Sequence, residues 1–137
     1  NFRPVKRVLD VIDVFDRIQA EVPAKLLLIG EGPDSVLARR QVKKKKLEGK
    51  VTFLGNQERV EAVLPCSDLF LVPSEEESFG LAALEALACG VPVIGTAGTG
   101  LMEVVEDYHN GFLLPVFLRE GASSGPALPA PVALAPA

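Results

Sequence analysis

The chain has 137 residues, a length that suits a single domain, and 48% of them are hydrophobic, which permits a sizeable core. Its formal net charge of −4 argues against nucleic acid as the main partner, because phosphate backbones bind to basic surfaces. No apolar run approaches the roughly 20 residues that a membrane-spanning helix needs. We therefore expect no transmembrane segment and a cytoplasmic location.

Histidine and cysteine are too sparse to suggest a metal site, and we expect none. The single histidine, His109, lies in a polar turn, which predicts an exposed loop residue. Cys66 and Cys89 lack the close spacing of metal ligands. Their apolar neighbours indicate two buried thiols in a reducing compartment.

The apolar residues alternate between helical and strand-like patterns. Side chains at spacings of three and four predict a first helix over 5–22, with Pro4 in its first turn. The continuous apolar run at 25–29 indicates a strand buried on both faces. Further helices are expected at 34–47, 58–65, 79–88 and 101–106, and further strands at 51–54, 68–72, 91–94 and 111–114. The alternation predicts an α/β fold over residues 1–116, a Rossmann-like parallel sheet with helices on both faces.

Two segments have a biased composition. The four lysines at 43–46 are interpreted as a solvated helix face, with a phosphate-binding patch as the alternative. Residues 117–137 are rich in Ala, Pro, Gly and Ser and have no periodicity. We expect a disordered tail there, in place of a native C-terminal segment.

The segments that follow the predicted strands are the candidates for a ligand site, because ligands of parallel sheets bind beyond the carboxyl ends of the strands. These segments are 30–33, 55–57, 73–80 and 95–100. In the third, Glu77 lies in the loop and Ser78 is expected to be the N-cap of the next helix. The helix N-terminus offers N–H groups to a phosphate, and Gly80 permits a close approach of the backbone.

Glu85 lies two helical turns beyond that N-terminus. The element therefore offers a phosphate site flanked by two carboxylates, which are good acceptors for sugar hydroxyls. The spacing by itself favours an alternative in which Glu77 stabilises the helix dipole and Glu85 is an ordinary exposed residue.

The wider sequence context is more specific. The run ESFGLAALEALACGVPVIGT closely resembles the E-x7-E signature of family-four glycosyltransferases of the GT-B fold. LLLIGEGPD, VTFLGNQERVEAVLPCSDLFLVPS and NFRPVKRVLDVIDVF resemble the other segments of that family's donor domain, so the similarity covers about residues 1–116. One departure is that Thr99 and Met102 stand where the family usually has Gly and Pro.

The resemblance implies a role for each matching residue. Lys6 and Arg3 would bind the donor diphosphate, and the charge of Lys6 would stabilise the leaving group. Glu77 would contact hydroxyls of the donor sugar, and Glu85 those of the ribose. The other implied donor-binding residues are Gly30, Gly32, Gly55, Asn56, Gln57, Ser78, Phe79 and Gly80.

The resemblance further implies that the chain is the C-terminal, donor-binding half of a retaining glycosyltransferase. Its partner would be UDP or a UDP-sugar, with UDP-N-acetylglucosamine as the expected donor and no metal or other cofactor. The N-terminal acceptor domain would be missing. Because catalysis depends on positioning both substrates, we expect negligible transfer by this chain alone.

Two alternatives stay open. One is a stand-alone nucleotide-binding or regulatory module. The other is an unrelated Rossmann-like oxidoreductase or carrier, which is disfavoured because the third glycine of a dinucleotide fingerprint would fall at Ser35.

Overall fold

A computed structural model gives the fold of residues 2–115, which are the residues that the structure describes. The predicted tail at 117–137 lies outside them. Helices and strands alternate in the order α1 (Val8–Glu21), β1 (Leu26–Ile29), α2 (Ser35–Lys44), β2 (Val51–Gly55), β3 (Phe70–Val72), α3 (Leu81–Ala88), β4 (Val93–Thr96) and β5 (Gly111–Leu114). Short 3-10 helices lie at Pro4–Lys6, Val60–Ala62, Leu64–Cys66 and Gly100–Glu103.

All strand pairings in this part of the chain are parallel, which confirms the α/β class with parallel strands. Hydrogen bonds divide the strands into a two-stranded sheet, β1-β2, and a three-stranded sheet, β3-β4-β5. Leu71 of β3 packs against the core of the first sheet. Within residues 2–115, no helix combines the length and the apolar character that crossing a membrane requires.

The core forms two clusters. In the first, α1 and α2 pack on β1 and β2, and Ile12, Phe15 and Ala38 are almost completely buried. In the second, α3 packs on the β3-β4-β5 sheet, with Ala83 and Val93 fully buried. The small side chains of α3 bring this helix close to the strands, which fixes the start of the helix relative to the strand ends.

The first predicted helix is interrupted at Arg7. This residue has a φ of 52° and a ψ of 43°, a left-handed conformation that ends the 3-10 helix Pro4–Lys6 before α1 begins. Pro4 takes a first-turn position as expected, although in the short helix. The apolar spacing continues across the interruption, so periodicity could not reveal it.

Two burial predictions are wrong. Leu28 is buried, but the neighbouring Leu27 is 37% exposed, so β1 is not covered on both faces. Successive side chains of a strand point to opposite faces, and only one face of β1 meets the core. Cys66 is exposed and Cys89 is half-buried. Cys66 ends a 3-10 helix at the surface, where apolar neighbours in the sequence do not cover it.

An ionic cluster joins α1 and α2. Lys45 Nζ, just after α2, lies 2.9 Å from Asp16 Oδ2 and 3.1 Å from Asp13 Oδ1. Its hydrogen bond lowers the pKa of Asp16 below the usual value of 3.8, and the bond to Asp16 raises the pKa of Lys45 above 10.5. One lysine of the predicted solvated run is therefore used to dock the two helices, while Lys43, Lys44 and Lys46 are exposed.

We expect this cluster to give the fold an acid-sensitive contribution to stability. Because the folded pKa of Asp16 lies below the unfolded one, the stabilisation is present above the unfolded pKa and is lost as the pH falls through the folded pKa. Asp16→Asn should lower the midpoint of urea unfolding at neutral pH. The difference in midpoint between this variant and the parent protein should become smaller in acid. Asp68→Asn, at an exposed position, removes the same charge as a control. A difference that stays constant with pH would contradict the prediction.

Candidate functional site

Two glycine turns meet at the carboxyl ends of β1 and β2. Gly30, directly after β1, has a φ of 119°, and Gly55, at the end of β2, has a φ of 66°. The Gly30 N–H donates a hydrogen bond of 2.8 Å to the Gly55 carbonyl oxygen. Glycine suits both positions because a side chain at positive φ is strained. The two segments proposed to lie near the nucleotide are therefore joined directly by their backbones.

Gly32 serves the packing of the chain's own N-terminal segment. A Cβ at this position would lie 2.7 Å from the backbone nitrogen of Phe2. The Phe2 N–H donates to the Glu31 carbonyl oxygen, and the Asp34 N–H donates to the Phe2 carbonyl oxygen, both at 2.9 Å. This glycine allows the N-terminal segment to lie against the β1–α2 turn, and its part in a ligand site stays a prediction.

Asn56 and Gln57, in the loop whose backbone groups were expected to lie beside the base, are both exposed after β2. Gln57 Nε2 donates to the Leu54 carbonyl oxygen at 2.6 Å, so this amide is used within its own turn. Asn56 remains accessible at the same strand end. The structure thus places both residues at the predicted edge and gives them different local surroundings.

The two residues predicted to act on the donor's diphosphate and sugar are in direct contact. Lys6 Nζ lies 2.6 Å from Glu77 Oε2, although 71 positions separate the residues in the sequence. The side chains are 30% and 17% exposed, so the pair is accessible from one side. Lys6 ends the N-terminal 3-10 helix, and Glu77 lies in the loop between β3 and α3. The fold therefore brings a cation and an anion together where the sequence predicted a phosphate and a sugar.

Arg3 stands beside this pair in the sequence and differs from it in its surroundings. It is exposed in extended backbone, and its carbonyl oxygen accepts a hydrogen bond from the Lys6 N–H at 2.8 Å. Arg3 thereby supports the turn that carries Lys6. A contact of its guanidinium with a diphosphate stays a prediction.

The β3–α3 loop is fixed between two neighbouring segments. On one side, the Glu75 N–H donates to the Val5 carbonyl oxygen at 2.9 Å. On the other side, the Gly100 N–H donates to the Glu77 carbonyl oxygen at 2.6 Å. A Cβ at Gly100 would lie 2.2 Å from the carbonyl oxygen of Ser78, so only glycine leaves room for this approach. Glu77 thus projects from a backbone that is bound on both sides.

The start of α3 differs from the prediction. The helix begins at Leu81, and Gly80 is its N-cap in a left-handed conformation with a φ of 76°, so Ser78 is not the N-cap. A Cβ at Gly80 would lie 2.8 Å from Leu101 Cδ2, so a side chain at this position would be both strained and crowded. In the described part of the chain, no side chain caps this helix. The first N–H groups of α3 are therefore suited to an external acceptor.

Glu85 and Phe79 lie at the surface around α3. The helix buries Ala83 and Ala86 against the sheet, and Glu85 is exposed. Phe79 is 47% exposed just before the helix. The two glutamates of the E-x7-E spacing therefore have distinct surroundings, because Glu77 is paired with a lysine and Glu85 faces solvent.

The departure at Thr99 is accommodated locally. Thr99 Oγ1 accepts a hydrogen bond from the Leu101 N–H at 3.3 Å and donates one to the Thr96 carbonyl oxygen at 2.9 Å. The threonine therefore caps the 3-10 helix Gly100–Glu103. Met102 is exposed in that helix.

Two residues next to the predicted site residues were not predicted from the sequence, Arg7 and Glu75. They approach each other, with Arg7 Nε 3.6 Å from Glu75 Oε1, next to the Lys6–Glu77 pair. The adjacent basic residues Lys6 and Arg7 were a signal that could have been followed. The contact itself joins distant segments and has no local pattern.

A comparison with protein families identifies the family of this chain. The family described as "Glycosyl transferases group 1" matches residues 1–122, so the chain belongs to this family. The family assignment made from the E-x7-E run and its neighbouring segments is thereby confirmed.

Named relatives in this family are glycosyltransferases. The chain is 51% identical over 116 residues to an N-acetyl-alpha-D-glucosaminyl L-malate synthase of Bacillus anthracis, covering 85% of this chain and 30% of the relative. It is 40% identical over 110 residues to a D-inositol 3-phosphate glycosyltransferase of Mycolicibacterium smegmatis, covering 74% and 25%. The chain therefore spans about a third or less of these relatives' lengths.

Solved structures share the fold. HepE of Anabaena in complex with UDP-glucose matches 84% of this chain and 33% of its own, with a TM-score of 0.76 and 30% identity. The pneumococcal O-GlcNAc transferase GtfA in complex with UDP and GlcNAc matches 82% of this chain and 22% of its own, with a TM-score of 0.78 and 25% identity. These structural neighbours carry UDP or a UDP-sugar.

The close packing of the β3–α3 loop predicts that Gly100 tolerates no side chain. Gly100→Ala should lower the free energy of unfolding by about 1–3 kcal/mol, because the added methyl group would overlap the Ser78 carbonyl oxygen. Chemical denaturation measures the change. Gly49→Ala is the matched control, since a Cβ there meets no described atom within 4 Å. Equal stability of the two variants would show that the loop does not pack as described.

Proposed function

We propose that this chain binds the nucleotide-sugar donor of a retaining glycosyltransferase at the carboxyl ends of its strands. The observation that carries the proposal is the Lys6–Glu77 pair, in which Lys6 of the N-terminal 3-10 helix meets Glu77 of the loop that leads to the start of α3. A cation and a set of N–H groups suit a diphosphate, and a carboxylate suits sugar hydroxyls.

Each residue takes one part of the ligand in this proposal. Lys6, with Arg3, binds the diphosphate and stabilises the charge that develops on the leaving UDP. The backbone of Ser78, Phe79 and Gly80 lies near the phosphate and sugar, and Glu77 accepts from sugar hydroxyls. Glu85 accepts from the ribose hydroxyls, and the turns at Gly30, Gly32 and Gly55–Gln57 surround the nucleotide.

The relatives favour a particular donor and acceptor. Identity of 51% to the L-malate synthase supports UDP-N-acetylglucosamine as the donor and L-malate as the small acceptor. The complexes of structural neighbours with UDP and UDP-glucose support a uridine nucleotide. In the whole enzyme, an acceptor domain missing from this chain would supply the second substrate. A stand-alone nucleotide-binding module is the alternative, and a cytoplasmic location stays a prediction.

The first test is a calorimetric titration of the protein with UDP. We expect saturable binding, and we expect Glu85→Ala to weaken it about tenfold, the loss of a charged hydrogen-bonding group to the ribose. NAD serves as the control ligand and should not bind. Glu48→Ala, at an exposed position between α2 and β2, is the control variant and should bind UDP as the parent does.

The possible outcomes have distinct meanings. UDP binding without an effect of Glu85→Ala would remove Glu85 from the ribose site. No UDP binding by a protein with the expected circular dichroism would refute the donor-domain proposal. Binding of NAD in place of UDP would favour the oxidoreductase alternative.

A second test uses the ion pair itself. A diphosphate must compete with Glu77 for Lys6, whereas the sugar of a complete donor needs Glu77 as an acceptor. Glu77→Gln should therefore tighten the binding of UDP and reduce the preference for UDP-N-acetylglucosamine over UDP by about tenfold. Titrations with both ligands give this ratio.

The matched control for this test is Glu76→Gln, the exposed neighbouring position with the same change of charge. It should leave the ratio of the two affinities unchanged. If Glu77→Gln also leaves the ratio unchanged, Glu77 does not contact the sugar.

A further inference from the structure

Arg7 is unusual in both its backbone and its burial. Its φ of 52° is a left-handed conformation that residues with a Cβ rarely adopt, and its side chain is only 8% exposed. A left-handed backbone and a buried charge each cost free energy unless neighbouring groups compensate. Glycine would take this backbone without strain, so the contribution of the arginine lies in its side chain.

The guanidinium contacts carboxylates on two different segments. Arg7 Nε donates to Asp10 Oδ2 in the first turn of α1 at 2.6 Å. The same nitrogen lies 3.6 Å from Glu75 Oε1 in the β3–α3 loop. The contact with Asp10 is a hydrogen bond, and the contact with Glu75 is a longer ionic approach of the same nitrogen. Arg7 therefore connects the segment that carries Lys6 with the loop that carries Glu77.

A backbone hydrogen bond joins the same two segments beside this bridge. The Val5 carbonyl oxygen accepts from the Glu75 N–H at 2.9 Å, two residues before Arg7. The contacts of residues 5–7 with residues 75–77 thus form a continuous row: a backbone hydrogen bond, the Lys6–Glu77 pair and the Arg7–Glu75 pair. We call this row the turn–loop seam. Only its middle contact uses residues assigned to the donor.

We propose that Arg7 is a positioning residue of this site. It acts through its contacts with Glu75 and Asp10. These contacts hold the β3–α3 loop against the turn that carries Lys6, so that Lys6 and Glu77 face the same ligand. That a ligand binds between Lys6 and Glu77 rests on the proposed function. The seam itself is a property of the protein without ligand and can be tested without one.

The ligand-free test is amide hydrogen exchange measured by NMR. Arg7→Gly removes the side chain at a position whose left-handed backbone glycine adopts readily. We expect the Glu75 amide of this variant to exchange at least tenfold faster, while the Leu113 amide of β5 is unchanged. Arg7→Lys keeps the charge and should restore part of the protection. Glu75→Gln is a second variant for the case that Arg7→Gly does not fold. The Glu75 side chain is 57% exposed, so we expect this variant to fold while it loses the ionic contact with Arg7. Unchanged exchange at the Glu75–Gly80 amides in both Arg7→Gly and Glu75→Gln would overturn the proposal.

The ligand test is a double-mutant cycle on UDP binding. If Arg7 acts through Glu75, Arg7→Gly and Glu75→Gln should each weaken binding about fivefold, and the double variant should be no worse than either one. Glu76→Gln removes the same charge from the neighbouring position as the control. If Glu75→Gln instead tightens binding as much as Glu76→Gln does, while Arg7→Gly weakens it, Arg7 acts by its own charge and the proposal is wrong.

The two tests separate this inference from the proposed function. A parent protein that does not bind UDP refutes the proposed function, and the exchange experiment then decides on the seam alone. A parent that binds UDP, with affinities unchanged in Arg7→Gly and Glu75→Gln, refutes the positioning role and leaves the proposed function intact.

Discussion

The contact between Lys6 and Glu77 is the interaction on which the site depends. A partly exposed ion pair of this kind contributes only about 0–1 kcal/mol to stability, so its importance lies in the positions it fixes. It joins the N-terminal turn to the loop after β3. The strand order by itself does not bring these two surface segments into contact. Every other contact of the turn–loop seam strengthens the same junction.

The core beneath the site gives that junction its shape. Leu101 is fully buried, and its Cδ atoms would lie 2.5 Å from a Cβ at Gly95 and 2.8 Å from one at Gly80. One side chain therefore fills the space between the end of β4 and the start of α3. Because interiors are packed without voids, this contact leaves the backbone at Gly80 little freedom. As far as the structure describes the chain, α3 has no side-chain cap, because its N-cap position is held by Gly80.

The sequence predicted what depends on local pattern. Strand β5 has the predicted bounds, and α3 was found within two residues, because apolar periodicity is a property of neighbouring residues. The predictions failed where a distant contact decides. Ser78 is a good N-cap residue, but Gly80, which lies beside Leu101 in a left-handed conformation, takes the N-cap position. Arg7 breaks the first helix although the apolar spacing continues through it, and its side chain contacts Asp10 and, across the chain, Glu75. Lys6 and Glu77 were expected to bind different parts of one ligand, and their contact with each other was not predicted.

The charge of the chain constrains how a diphosphate could bind. With a formal net charge of −4, the protein as a whole does not attract an anion, so affinity has to come from groups in contact with it. Lys6 is such a group, but Glu77 neutralises it in the structure, and Glu75 and Glu76 add negative charge nearby. A ligand with a sugar that engages Glu77 removes this competition, whereas a bare diphosphate does not. Under the proposed function, the Lys6–Glu77 pair would therefore discriminate in favour of a nucleotide-sugar over the nucleotide alone.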